Sequence, residues 1–221
     1  MIKYLFWDND GVLVDTELFY FQAGQKVLRE IGINLSSEEF VDISLRQGMG
    51  IMKLAGEAGL SEKEVETLRI RRNSLYAELL EENQDKLLIE NAKETLVELK
   101  KYFSMGLVTS CRKEHFSIIH QSTGILPLFD FILANGDYPR TKPAPDPYLK
   151  ALELSGKSAS ECLVIEDSRR GLAAAQAAGL KCAVIPQGLT KGENFREAWK
   201  IFTSLSELKE FLTDLTSKTL E

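Results

Sequence analysis

Apolar and polar residues follow two rhythms along this chain, and the changes of rhythm mark where elements begin and end. Ile2 to Trp7 is a short, mostly apolar run stopped by Asp8-Asn9-Asp10-Gly11, as a strand buried on both faces would be. Runs of the same kind recur at Gly106 to Thr109, Phe131 to Ala134, Cys162 to Ile165 and Cys182 to Ile185, with helical segments between the later ones. Strands alternating with helices predict a parallel α/β sheet.

The helical stretches carry start and stop signals. Asp146-Pro147 offers an N-cap and a first-turn proline ahead of a helix from Tyr148 to Ser155. Ser168 caps a run through Ala178 that Gly179 can close. Ser204 with Glu207 forms a capping-box pattern before a C-terminal amphipathic helix whose Leu208, Phe211 and Leu212 can face the sheet. Between the first strand and Gly106 the rhythm is helical. Phe19 to Ile31, Glu38 to Leu45, Ile51 to Gly59 and Ser61 to Leu80 repeat apolar residues at helical spacing, with Ser36/Glu39 and Ser61/Glu64 as capping boxes. One helix suffices to join two parallel strands. The surplus, Thr16 to Leu88, therefore predicts an α-helical cap domain (residues 16–88) inserted into a Rossmann-like core (residues 1–15 and 89–221).

Composition narrows the partners. With 221 residues, 44% hydrophobic and 27% charged, the chain has ordinary globular usage. A net charge of −6 with scattered Lys and Arg leaves no footprint for nucleic acid or an anionic membrane. Cys111, Cys162 and Cys182 form no CxxC pair, which points to free thiols in a reducing compartment. No leader-like or bilayer-length apolar run is visible. A cytoplasmic protein, monomeric or weakly homo-oligomeric, is expected.

Asp8-Asn9-Asp10-Gly11 falls at the end of the first strand, the edge of an open α/β sheet where ligands bind. Two carboxylates at i and i+2 of a departing loop can converge on one hard cation and one substrate, although a solvated acidic turn has the same composition. An EF-hand is excluded, since Val12 stands where a third oxygen ligand is required and Leu13 where the loop demands glycine.

Asp8 to Glu17, read as DNDGVLVDTE after an apolar strand, resembles the first signature of the haloacid dehalogenase superfamily, in the branch of phosphoglycolate phosphatase and β-phosphoglucomutase. The other signatures follow in order: Thr109-Ser110 ending the second strand, Lys142-Pro143-Ala144-Pro145, and Glu166-Asp167-Ser168 ending the fourth, with Gly171-Leu172-Ala173-Ala174-Ala175 to Gly179 similar to the family's fourth helix. The resemblance implies a magnesium-dependent phosphatase acting on a small phosphorylated metabolite. It implies Asp8 as nucleophile, Asp10 as general acid and base, Ser110 as a phosphoryl ligand and Lys142 as the neutralising cation. Mg²⁺ would be held by Asp8, Glu166, Asp167 and the backbone carbonyl of Asp10.

A monoester dianion repels an anionic nucleophile, so a site built on Asp8 needs positive charge beside it. Arg46 to Gly50 falls where the family's cap specificity loop lies, which makes Gln47, Gly48 and Met49 candidate substrate residues. A phosphosugar mutase on the same scaffold is the alternative. It is disfavoured because Ile51 stands where the mutase has an arginine for a second phosphate. A dehalogenase would need neither Asp10 nor the Glu166-Asp167 pair. Cys111 four residues before His115 lacks the third member of a triad. His120 is expected to be structural or solvated, and Arg169 and Arg170 to lie on a solvated helix face, one of them at most touching the cap.

Overall fold

In the computed structural model, which describes residues 1–217, the strands β1 Tyr4–Trp7, β2 Ser104–Arg112, β3 Phe131–Asn135, β4 Cys162–Glu166, β5 Lys181–Val184 and β6 Lys200–Ile201 form one sheet. Its order is β3-β2-β1-β4-β5-β6 and every pairing is parallel. This is the Rossmann-like α/β core that the strand rhythm predicts. It gains one strand that the rhythm does not show: β6 is two residues long and half polar, too short for any pattern.

All four β1 residues are buried, which is why the strand reads as a continuous apolar run and not as an alternation. Leu5 and Trp7 join Leu107, Leu163 and Ile165 in the core on one face, while Tyr4 and Phe6 join Val108, Val164 and Val184 in the core on the other.

Between β1 and β2 the chain is helical: α1 Glu17–Glu30, α2 Ser37–Phe40 running into a π-helical turn at Val41–Arg46, α3 Lys53–Glu57 and α4 Glu62–Glu82. Ser36 and Ser61 accept hydrogen bonds from the backbone N–H of Glu39 and Glu64 and receive the glutamates' reach in return, so both capping boxes are formed. The two ends of this insert run side by side. Val14 bridges Leu88, the Asp15 N–H donates to the Leu87 carbonyl at 2.8 Å and the Ile89 N–H to the Leu13 carbonyl at 2.9 Å.

The remaining helices cover the sheet. Residues of α5 Ala92–Leu99 and α9 Leu205–Ser217 pack in the core with Leu5, and residues of α7 Asp146–Ser155 and α8 Arg169–Ala177 in the core with Phe6; α6 Lys113–Ile119 follows β2. Ser168 caps α8 through the Gly171 N–H. Two local readings shift. Helix α7 starts at Asp146 itself, whose carboxylate pairs with Arg140 instead of capping. Ahead of α9, Ser204 accepts from the Glu207 N–H, but Glu207 reaches back to Thr203, so the box is half formed.

Candidate active site

The sheet order turns outward in both directions from β1, and the carboxyl ends of β1, β2 and β4 meet at that switch point, where α/β sheets bind ligands. Asp8 follows β1, with its N–H bonded to the Ile165 carbonyl at 2.9 Å. Glu166 ends β4 and Asp167 follows it. Carboxylate oxygens of Asp8, Glu166 and Asp167 lie within 4.8 Å of one another, and all three residues are buried.

Lys142 reaches this cluster from the loop before α7. Its Nζ donates to Asp8 Oδ1 at 2.6 Å, Glu166 Oε1 at 2.6 Å and the Val108 carbonyl at 2.9 Å. Burial works against the ammonium, but Asp8 and Glu166 outweigh it and hold the lysine firmly charged. Tyr148 also donates to Glu166 Oε1, at 2.7 Å, while Ser168 donates to Oε2 at 3.1 Å. Burial favours the neutral acid of Glu166, yet Lys142 and Tyr148 overcome it and pull its pKa down.

Asp8 and Asp167 go the other way. Burial first, then the charge of Glu166, pushes Asp8 up to about 7 in spite of Lys142. Burial, Glu17, Glu166 and Asp8 push Asp167 well above the ordinary range. Among the described residues its carboxylate receives a single hydrogen bond, a 3.5 Å contact from the Thr190 hydroxyl. A buried carboxylate so poorly satisfied, in an all-oxygen cluster, fits a bound divalent cation. Two glycines make room. Gly11 has φ +82°, and a Cβ there would fall 2.2 Å from Asp167 Oδ2; a Cβ on Gly171 would fall 2.0 Å from the Glu166 carboxylate oxygens.

Asp10 sits apart from that cluster, held by neutral donors. Thr16 donates to its Oδ1 at 2.5 Å, while Thr109 at 3.0 Å and Asn9 at 3.3 Å donate to Oδ2. A cavity of about 270 Å³ opens between Asp10 and Ser110 on the sheet side and Glu17, Tyr20, Met49 and Arg72 on the helical insert.

A model of the haloacid dehalogenase-like hydrolase family matches residues 5–185. The chain belongs to that family. It is 30% identical over 217 residues to protein CbbY of Rhodobacter capsulatus, covering 90% of this chain and 92% of that protein. Similarity to a phosphoglycolate phosphatase of Thiobacillus denitrificans is 29% over 206 residues, 89% and 88% of the two chains. A β-phosphoglucomutase structure from Clostridium difficile superposes with a TM-score of 0.80 at 24% identity, covering 100% of this chain and 99% of that one.

As a haloacid dehalogenase-like hydrolase, the chain brings Asp8, Asp10, Lys142, Glu166 and Asp167 to one sheet edge. Ser110 lines the cavity with its hydroxyl buried and without a partner. Gly48 and Met49 line it too. Gln47 does not: it is exposed and donates to Asp42 at 2.6 Å, because the π-helical turn aims it along the surface. Cys111 lines the wall, but burial and Asp10 push its thiol well above the usual range, which disfavours the thiolate that a nucleophile needs. Among the described residues no helix is long and apolar enough to cross a membrane.

Two cavity residues and one neighbour of Asp10 escaped the sequence reading. Arg170 lies in the cavity wall, not on a solvated face, and its Nε is buried without a partner. Thr109, which precedes Ser110, is buried and is the β2 hydroxyl that reaches Asp10. Arg72 is buried with Tyr76 and Leu80 on one face of α4. A charged residue at i−4 from a tyrosine and i−8 from a leucine was the available signal for it.

Proposed function

We propose that this hydrolase is a magnesium-dependent phosphatase working through an aspartyl phosphate on Asp8. The observation that carries the reading is the pairing of two unlike carboxylates on one loop. Asp8 lies in a buried acid cluster against Lys142, while Asp10 is held by neutral donors at the cavity wall. Asp8 attacks phosphorus, Lys142 neutralises nucleophile and phosphoryl oxygens, and the unpartnered Ser110 hydroxyl is free to donate to them. Asp10 protonates the leaving oxygen and then takes the proton of the water that clears the intermediate. Magnesium held by Asp8, Glu166, Asp167 and the Asp10 carbonyl would supply charge for the dianion.

The helical insert, residues 16–88, acts in this reading as a cap over a core of residues 1–15 and 89–221. The substrate is a small phosphorylated metabolite. Arg72 and Arg170 both line the cavity, and neither closes an ion pair with a carboxylate among the described residues, which favours a substrate bearing a second anionic group. Phosphoglycolate, named for one relative, is of that class. The mutase alternative is set aside, because Ile51 is fully buried in the insert beside Gly24 and grips nothing in the cavity.

Release of inorganic phosphate from a panel of phosphorylated metabolites and p-nitrophenyl phosphate, with Mg²⁺ and with chelator, tests the proposal. Asp8→Asn should abolish turnover and leave no adduct. Asp10→Asn should phosphorylate slowly from the aryl ester and stall, giving an aspartyl-phosphate mass after acid quench. Near-wild-type turnover by Asp8→Asn, or full activity in chelator, sinks the mechanism.

A further inference from the structure

The residue between the two catalytic aspartates is itself polar and buried. Asn9 is fully buried, His120 is 7% exposed and Thr123 4%, so their hydrogen bonds must be satisfied among themselves. His120 Nε2 lies 2.9 Å from Asn9 Oδ1, and His120 Nδ1 lies 2.9 Å from Thr123 Oγ1. The other end of the Asn9 amide, Nδ2, donates to Asp10 Oδ2 at 3.3 Å.

The chemistry of these contacts fixes every proton. A carboxylate accepts, so Asn9 must turn its NH₂ toward Asp10 and its carbonyl toward the histidine. That carbonyl accepts in turn, so His120 carries its proton on Nε2, and Nδ1 takes the hydroxyl proton of Thr123. Burial pushes the imidazole down to about 4, so the ring stays neutral at working pH and keeps this tautomer. The chain of bonds has one direction, from Thr123 through His120 and Asn9 to Asp10.

We infer that Asn9 and His120 are positioning residues for Asp10: the histidine orients the amide, and the amide, with Thr109 on the same oxygen, holds the Asp10 carboxyl where it meets the leaving group. This rests on the general acid-base role proposed for Asp10. Loss of the amide donor leaves Oδ2 with Thr109 alone and Oδ1 with Thr16, so the carboxyl loses one of its three restraints and can tilt between the two threonines. A misplaced Asp10 slows phosphoryl transfer from esters whose leaving group needs the proton and spares transfer from those whose leaving group does not, while clearance of the aspartyl phosphate, common to both, slows alike.

The experiment compares kcat/KM, which reports the steps through transfer to Asp8 and not the later clearance, for an alkyl phosphate, whose leaving group needs protonation, and p-nitrophenyl phosphate, whose leaving group does not, with kcat and KM also taken separately. The variants are Asn9→Leu, His120→Phe, the double variant and His120→Gln, each also scored for thermal stability. We expect Asn9→Leu and His120→Phe to lower the alkyl-to-aryl ratio of kcat/KM about tenfold, and to lower kcat for both esters through slower clearance. The double variant, with both polar partners gone, should recover stability but not the ratio. His120→Gln, which can still donate to Asn9, should keep a ratio within about twofold of wild type. An unchanged ratio in the folded single variants, or its recovery together with stability in the double variant, overturns the inference and makes the pair purely structural. Absence of phosphate release from both esters by the wild-type chain would instead overturn the phosphatase reading.

Discussion

Two carboxylates two residues apart behave differently because their neighbours differ. Asp8 shares Lys142 with Glu166 and is pressed by burial, whereas Asp10 faces three neutral donors. The same contrast of burial governs His120, whose pKa falls from about 6.5 to about 4 on folding because the ring is desolvated. The sign follows from proton counting: between those values the unfolded chain holds a proton that the folded chain refuses. Stability from this residue is therefore complete above about pH 6.5 and is lost as pH falls toward about 4. At 1.36 kcal/mol per unit, the loss between pH 6.5 and pH 5 is on the order of 2 kcal/mol. Urea unfolding at pH 7 and pH 5 should show the wild type losing about that much more than His120→Gln. His115, also lowered by burial, contributes equally to both proteins and cancels. Equal pH slopes would mean that the folded protein protonates His120 freely.

At the scale of elements, the π-helical turn Val41–Arg46 brings the insert down onto the core. Gly48, at φ +68°, passes so close that a Cβ would lie 2.9 Å from Pro143 Cδ and 3.0 Å from the Lys142 carbonyl oxygen. Arg46 grips Glu193 through two nitrogens, Nε at 2.9 Å and Nη2 at 2.5 Å. Its side chain is 44% exposed, against 10% for Glu193. A partly exposed pair is worth up to about 1 kcal/mol, or roughly a fivefold bias toward the closed arrangement. Glu193→Gln should therefore lower kcat/KM about two- to fivefold, and 0.5 M salt should reproduce that loss in the wild type without adding to it in the variant. Intact kcat/KM with unaltered salt sensitivity would show that this contact does not hold the insert down. The capping boxes at Ser36 and Ser61 were legible because each is closed within four residues. The Arg46 grip joins residues 147 apart in sequence, and no local pattern encodes it. Arg170 was misread for the same reason: its helix face is solvated unless the insert folds over it. Asp8, Asp10, Glu166 and Asp167 were legible because each ends or closely follows a strand, and parallel strands deliver such ends to one edge; Lys142, in the loop between β3 and α7, was legible only through its Lys-Pro-Ala-Pro signature.

Across the whole molecule, the site stores unfavourable charge that a cation would relieve. Asp8, Glu166 and Asp167 are buried together, and Lys142 bonds to Asp8 and Glu166 but not to Asp167. Burial leaves Asp167 the worst placed, with its pKa raised well above the ordinary value. A carboxyl raised on folding destabilises the metal-free protein as pH climbs past its unfolded pKa, since the folded state must then hold either a costly anion or an extra proton. Removing that charge should stabilise the metal-free fold even though it takes a ligand from the proposed cation site. A ligand bound at a hundred times its Kd adds about 2.7 kcal/mol, which for a chain of this size raises Tm by roughly 5–10 °C. The wild type should therefore melt several degrees higher in saturating Mg²⁺ than in chelator at pH 7.5. Asp167→Asn should melt above the wild type in chelator and show less than about a third of the Mg²⁺ shift. Scanning calorimetry of both proteins in the two buffers decides the matter, and each outcome has a separate meaning. A variant less stable than wild type in chelator would show that Asp167 is satisfied by the protein itself. A full Mg²⁺ shift in the variant would place the cation elsewhere, and the charge balance proposed for this sheet edge would have to be redrawn without it.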